Sequence, residues 1–267
     1  MKPAAVLAAC FLMGGCATDR VPTGAPARDA GYLDRAAVRA FRADFSPSPI
    51  DPEHEPAAFR LVEPGTDRWW LAIAHAELRP PEAAQHFDCV LGARLAEQPR
   101  PALTRLMNRL LIDSAGVANA LAEQEPRRRP IAERPDLQPC VRIDEAVRNS
   151  PSWPAGGAVA GAAYGEMFAA LAPDQAEAAR RRGLDIGYSR AVCRVNWHAD
   201  VTDGVRIGQA VYERASATPD FATDLEAARQ EVAAARAEGL TNPGCAAERR
   251  ALGRTGDQAG RGLTREP

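Results

Sequence analysis

Lysine is almost missing from this chain: of its 33 basic residues only Lys2 is lysine, so any anion site must be built from guanidinium groups. Excess positive charge is missing too. With 33 basic against 35 acidic side chains and a formal charge of −2, the basic footprint of a nucleic-acid binder is excluded, and no nucleic-acid partner is expected. Aromatics make up only 6% of 267 residues, which leaves the core to Ala, Leu and Val and favours close-packed helices over a sheet. No apolar run reaches the roughly 18 residues of a membrane-spanning helix, no segment alternates with the period of a strand, and no internal repeat is visible. A P-loop, a nucleotide-binding glycine fingerprint, an HExxH pair, paired CxxC motifs and a GxSxG elbow are all lacking. No histidines or cysteines stand at ligand spacing, so neither a metal nor another cofactor is expected. What is present, 46% hydrophobic residues, excludes a disordered polymer and suffices for a sizeable core.

The N-terminus reads as a separate object. Lys2 supplies a positive start, Ala4 to Met13 is an apolar stretch too short to span a bilayer, and Gly14-Gly15-Cys16-Ala17 is a small-residue cleavage zone. Met13-Gly14-Gly15-Cys16 resembles a bacterial lipobox. This predicts a lipoprotein-type signal over 1–15, lipidation of Cys16, a flexible tether over 16–30, and a periplasmic protein anchored to the outer membrane. Ordinary cleavage after Ala17 is the alternative. Cys89, Cys140, Cys193 and Cys245 remain, and in an oxidising compartment they allow two disulfides with three possible connectivities.

The rest reads as helices. Leu103, Leu106, Met107, Leu110, Leu111, Val117, Ala118 and Leu121 keep one face at spacings of three and four, which predicts a long amphipathic helix ending before Pro126. Thr218 caps a helix that opens on Pro219 and stops at Gly239. Asp174 and Glu177 form a capping-box pattern after Pro173. Gly156, Gly157, Gly161 and Gly165 among alanines suit a central helix that its neighbours approach closely. Further helices are expected near 32–45, 67–77, 80–95 and 198–216. Residues 126–152, rich in Pro and Arg, form a long irregular segment, and the chain from about 247 is expected to fray. The organisation is one helical domain over 31–238 and a tail over 239–267. His75 and His86 are expected to pack rather than to ligate, His54 to be exposed, and Trp69-Trp70 to begin a helix on the core or to face a partner.

Three ordered blocks stand out: Arg127-Arg128-Arg129-Pro130, Ser152-Trp153-Pro154-Ala155-Gly156-Gly157, and Ser189-Arg190 leading to Asn196-Trp197-His198-Ala199-Asp200. They resemble the signature of the class A bacterial non-specific acid phosphatases, in the type-2 phosphatidic acid phosphatase and vanadium haloperoxidase superfamily. That signature runs Lys-x6-Arg-Pro, Pro-Ser-Gly-His and Ser-Arg-x5-His-x3-Asp. The resemblance covers roughly residues 31 to 238 and implies an all-α fold, a single helical bundle of the acid phosphatase and haloperoxidase type. In the family, the third-block histidine attacks phosphorus, the aspartate orients it, and the second-block histidine protonates the leaving group. The lysine, two arginines, a serine and backbone N–H groups hold the phosphoryl oxygens.

Carried onto this sequence, the nucleophile position is Asn196, the acid position Gly157, the serine position Ala155 and the lysine position Ala122. Arg129, Gly156 as a backbone donor, Arg190 and the orienting carboxylate Asp200 are retained. An amide nitrogen, its lone pair delocalised, is no phosphoryl nucleophile. His198, about 200° round a helix from Asn196, should point elsewhere. Asp200, without an imidazole, should pair with Arg129 or Arg190. The resemblance therefore implies a catalytically degenerate, acid-phosphatase-like lipoprotein that keeps at most a pocket for phosphate or a phosphomonoester. The alternative is a weak phosphomonoesterase. A third, purely structural possibility makes Arg190 and Asp200 a buried ion pair and Arg127–Arg129 a solvated turn. The sequence leaves the oligomeric state open.

Overall fold

The computed structural model describes residues 30–51, 55, 59 and 62–262, with side chains through residue 253. The signal segment, Cys16, His54 and nearly all of the tether lie outside the described residues. Those described form eleven α-helices and no strand: α1 (Arg35–Asp44), α2 (Asp67–Ala74), α3 (Asp88–Leu91), α4 (Pro101–Ala122), α5 (Pro130–Glu133), α6 (Glu145–Asn149), α7 (Gly156–Leu171), α8 (Ala176–Val192), α9 (His198–Ser216), α10 (Pro219–Ala237) and α11 (Cys245–Gly262). The fold is all-α, a helical bundle.

The periodic stripe of α4 becomes its core face: Leu103, Leu106, Met107, Leu110, Val117 and Leu121 are buried, and Pro101 sits in the first turn where its missing N–H costs nothing. Helix α7 is buried on nearly every side and packs against α4, α8 and α9, as its run of alanine and glycine requires. Backbones touch here. A Cβ on Gly183 would stand 2.5 Å from the Gly161 carbonyl oxygen, and one on Gly208 would stand 2.2 Å from that of Val159. Aromatics close the far end of the core, where Phe87 stacks on Phe168 with ring centroids 4.0 Å apart. Helix α10 lies on α4 and begins as its sequence predicts, with the Thr218 hydroxyl accepting from the Phe221 N–H; Gly239, at φ +66°, ends it.

Four expectations are corrected. The stretch near 80–95 is a 3-10 turn over Glu82–Phe87 followed by the short α3, because Pro80 and Pro81 offer no N–H and Gly92, at φ +63°, stops the helix. Asp174 caps nothing: Gln175 precedes α8, and the Asp174 carboxylate pairs with Arg236 instead. The segment 126–152 contains the short helices α5 and α6. The C-terminal stretch is helical, with Cys245 bonded to Cys89, Glu248 paired with the buried Arg182, and Ala251 buried. The second disulfide joins Cys140 and Cys193, which settles the connectivity. Among the described residues no helix is long and apolar enough to cross a membrane. Trp69 is buried on the core whereas Trp70 is 60% exposed.

Candidate functional site

The three sequence blocks converge where the segment after α4, the start of α7, the end of α8 and the start of α9 meet. Backbone bonds hold them in register: Ser152 N–H donates to Arg127 O at 2.7 Å, Ala155 N–H to Asp200 O at 3.1 Å, and Val195 N–H to Arg190 O at 3.2 Å. Asp203, buried one turn along α9, accepts from Trp153 Nε1 at 2.9 Å and from the Ser48 N–H and hydroxyl, each at 2.7 Å. This fixes the Trp153-Pro154-Ala155 corner that opens α7.

At that opening Ala155 provides no side-chain cap, and the N–H groups of Gly156 and Gly157 have no acceptor among the described residues. Such free N–H groups carry the positive end of the helix dipole. Arg190 lies over them. A Cβ at Gly157 would come within 2.7 Å of Arg190 Cδ and 3.2 Å of its Nε, so the stem of the arginine occupies the space that a side chain at the acid position would need. Arg190 forms no hydrogen bond or ion pair among the described residues, and burial, helped by the neighbouring Arg129 charge, pushes its guanidinium down to about 10. It still carries its proton at neutral pH. Arg129 is held from behind, donating to Val195 O at 2.9 Å and to Ser150 Oγ at 3.0 and 3.2 Å. Neither cation is hydrogen-bonded to a carboxylate, although the Asp200 charge lies near enough to favour the charged form of Arg129.

Asp200 departs from expectation. Its partner is Arg127, whose NH1 donates to Oδ1 at 2.5 Å while NH2 donates to Ser48 O at 2.8 Å; neither Arg129 nor Arg190 bonds to it. The purely structural Arg190–Asp200 pair is thereby ruled out, and the Arg127–Arg129 stretch is not a solvated turn. The reason lies in backbone geometry. In an extended segment residues i and i+2 share a face, so Arg127 and Arg129 both reach the site while Arg128 is exposed. Asp200 is fully buried, its Oδ2 has no hydrogen-bond partner, and burial pushes its carboxyl up to about 6 against the pull of Ser152 and Arg127.

Asn196 is not on the helix. It precedes α9, and its amide donates to Ser152 O at 2.7 Å. His198 opens α9 with its ring beside Tyr188, at 5.2 Å between centroids, and its N–H donates to Glu55. Glu55 is a residue that sequence reasoning missed: its carboxylate accepts from His198 N and Ala199 N at 2.7 and 2.8 Å and caps α9 from far away in the chain. No local pattern announces such a cap. Ser189 faces away from the guanidinium pair, with its hydroxyl engaged by Arg68 at 3.0 Å and by His75 Nδ1 at 2.8 Å. Ala122, at the lysine position, is the last residue of α4.

Chemically, the guanidinium groups and the helix-start N–H groups are donors suited to an anion, and Asn196 presents an amide. Among the described residues no group of His, Cys, Asp and Glu is arranged to hold a metal ion. No protein-family model matches the chain. Comparison with curated proteins does find relatives. The chain is 29% identical over 178 residues to an acid phosphatase of Zymomonas mobilis, covering 66% of this chain and 67% of that one. It is 28% identical over 170 residues to a non-specific acid phosphatase of Salmonella typhimurium (63% and 68% covered), and 23% identical over 169 residues to one of Providencia stuartii (63% and 68%). The chain is thus an all-α bundle similar in sequence to acid phosphatases over about two thirds of its length.

Proposed function

We propose that this protein is an exported, acid-phosphatase-like lipoprotein that has lost histidine phosphotransfer and retains a pocket for phosphate or a phosphomonoester. The observation that carries the reading is the pair Arg129 and Arg190, neither bonded to a carboxylate, beside the free N–H groups of Gly156 and Gly157. Buried positive charge without a counter-ion is unfavourable by itself and becomes favourable when an anion enters. A tetrahedral oxyanion supplies the acceptors that guanidinium forks and a helix start require.

Two features support loss of phosphotransfer. Asn196 directs its amide at Ser152 O, and the place of the acid side chain is taken by the stem of Arg190. Export is supported by the sequence of the first 17 residues and by two disulfides, which persist in oxidising compartments. Cys16 then anchors the protein to the outer membrane from the periplasmic side.

The test is hydrolysis of p-nitrophenyl phosphate across pH 4 to 8, with Arg190→Ala as the paired control, alongside calorimetric titration of inorganic phosphate. Phosphate binding that disappears in R190A, without turnover above that control, is the expected result. Turnover that R190A abolishes would establish the weak phosphomonoesterase instead, with water attacking a phosphoryl group held by Arg129 and Arg190.

A further inference from the structure

The two cations of the pocket belong to different parts of the chain. Arg129 lies in the connection between α4 and α7, a stretch with only the four-residue α5 and the five-residue α6 as internal structure. Arg190 lies in the last turn of α8. Like charges so placed repel, and an irregular segment is poorly equipped to resist that force.

The structure resists it by cross-linking the two. The Cys140–Cys193 disulfide ties the connection to the residue that ends α8. Around it Ile131, Leu137, Val141 and Ile143 pack with Ala72 and Val195 in an apolar cluster separate from the main core. Arg194, on the α8 side, donates to Gln138 O at 3.1 Å, and Arg129 itself donates to Val195 O at 2.9 Å. Of these links only the disulfide is covalent. The other disulfide, Cys89–Cys245, joins α3 to α11, and neither of its cysteines lies in an arginine-bearing segment.

We infer that the Cys140–Cys193 disulfide is a positioning device that holds the Arg129 guanidinium beside Arg190 and so sets the affinity of the pocket for a tetrahedral oxyanion. The inference rests on the anion-pocket reading above. Opening the bond lets the connection relax under charge repulsion, and one of two charge-assisted contacts to the anion is lost. Dithiothreitol opens it in a balanced exchange. A thiolate of the reagent attacks the half-buried Cys140 Sγ and expels Cys193 as thiolate; the second thiol of the reagent then displaces Cys140 and closes a cyclic disulfide. Two electrons and two protons pass to the cysteines.

The experiment uses the full chain carrying C89S and C245S, so that reduction of the folded protein acts on the Cys140–Cys193 bond. Inorganic phosphate is titrated calorimetrically before and after dithiothreitol, with helicity followed by circular dichroism on the same samples. The expected result is binding in the oxidised protein, weakened by about tenfold or more on reduction, with helicity unchanged. Equal binding before and after reduction overturns the inference and leaves the pocket standing. Loss of helicity together with binding overturns it as well, because the bond would then hold the fold rather than the pocket. If oxidised wild type binds no phosphate, the pocket reading fails and the inference with it; if only the C89S/C245S protein fails to bind, the assignment to Cys140–Cys193 is refuted.

Discussion

Where α4 meets α10, Arg105 and Arg109 converge on the nearly buried Asp224 at 2.9 and 3.0 Å, Arg109 also reaches Asp220, and the Tyr32 hydroxyl donates to Asp224 at 2.9 Å. Where the connection between α4 and α7 meets the end of α8, Arg129 and Arg190 bond to no carboxylate, and Asp200 acts on Arg129 only through its field. The first cluster closes electrically on itself, with burial pushing the Tyr32 hydroxyl up and the arginines holding the Asp224 carboxyl down. The second is closed from behind, where Arg129 meets Val195 O and Ser150, and left open in front. Two other buried arginines are paired, Arg182 with Glu248 and Arg100 with Glu238, whereas the buried Arg68 is held by the Ser189 hydroxyl and the Asp185 carbonyl. What sets the Arg129–Arg190 pair apart is that two guanidinium groups face one helix start, which is the basis of the proposed anion pocket.

The sharpest way to break this comparison is to remove the anion from the closed cluster. Asp224→Ala leaves Arg105, Arg109 and Tyr32 facing one another; with the carboxylate nearly buried and the arginines partly exposed, the loss should be about 3 kcal/mol, read as a lower urea midpoint at unchanged slope. If D224A is as stable as wild type, the cluster does not brace α4 on α10.

Next in size is the behaviour of the open pair toward added anion. At phosphate a hundredfold above its dissociation constant, wild type should gain about 2.7 kcal/mol of stability. Arg190→Met should gain none, and without phosphate it should be no less stable than wild type, since it removes an uncompensated charge and keeps the apolar stem. A melting temperature that falls in R190M without phosphate would show that Arg190 braces the fold after all.

How much of this was legible beforehand divides along the same line. The stripe from Leu103 to Leu121, the Thr218 cap and the crowded glycines of α7 are local patterns, and the helices follow them. The blocks that hold Arg129, Gly156, Arg190 and Asp200 lie side by side, joined by the Ala155–Asp200 and Val195–Arg190 backbone bonds and by Arg129 on Val195 O. Pairing was not legible. That Asp200 takes Arg127 depends on the extended backbone of the connection, that Glu55 caps α9 depends on a contact 143 residues away, and that Cys140 takes Cys193 depends on one 53 residues away. The contact between Gly157 and the Arg190 stem likewise exists only once α7 and α8 are packed.

That contact sets the third prediction. Gly157→His restores the residue type of the acid position, yet its Cβ would stand 2.7 Å from Arg190 Cδ, so the arginine must move off the helix start. Phosphate affinity should fall by about tenfold, and p-nitrophenyl phosphate turnover should not appear even with Asn196→His added, because the displaced Arg190 no longer holds the phosphoryl oxygens at the helix start. Turnover in the double variant would mean that Arg190 finds a second position that still holds the anion.

The smallest effect is a slope. Burial raises the folded-state carboxyls of Asp200 and Asp113 to about 6 from 3.8, so between those values the folded chain holds more protons than the unfolded one. Their contribution is complete below the lower value and is lost as pH rises through the upper. His75 acts in the opposite sense: burial, with His86, Arg182 and Arg68 beside it, holds it well below 6.5, so its contribution is present above 6.5 and is lost as pH falls. Asp200→Asn removes one falling component and leaves Asp113 and His75 in place. Stability measured by urea unfolding between pH 4 and 6 should therefore rise more steeply with pH in D200N than in wild type, by less than about 1.4 kcal/mol per pH unit. The slope is the readout, because breaking the Arg127 pair shifts the level at every pH. An unchanged slope would place Asp200 in its ordinary carboxylate range, and with it the Arg127 pair among the closed clusters rather than at the edge of the open one.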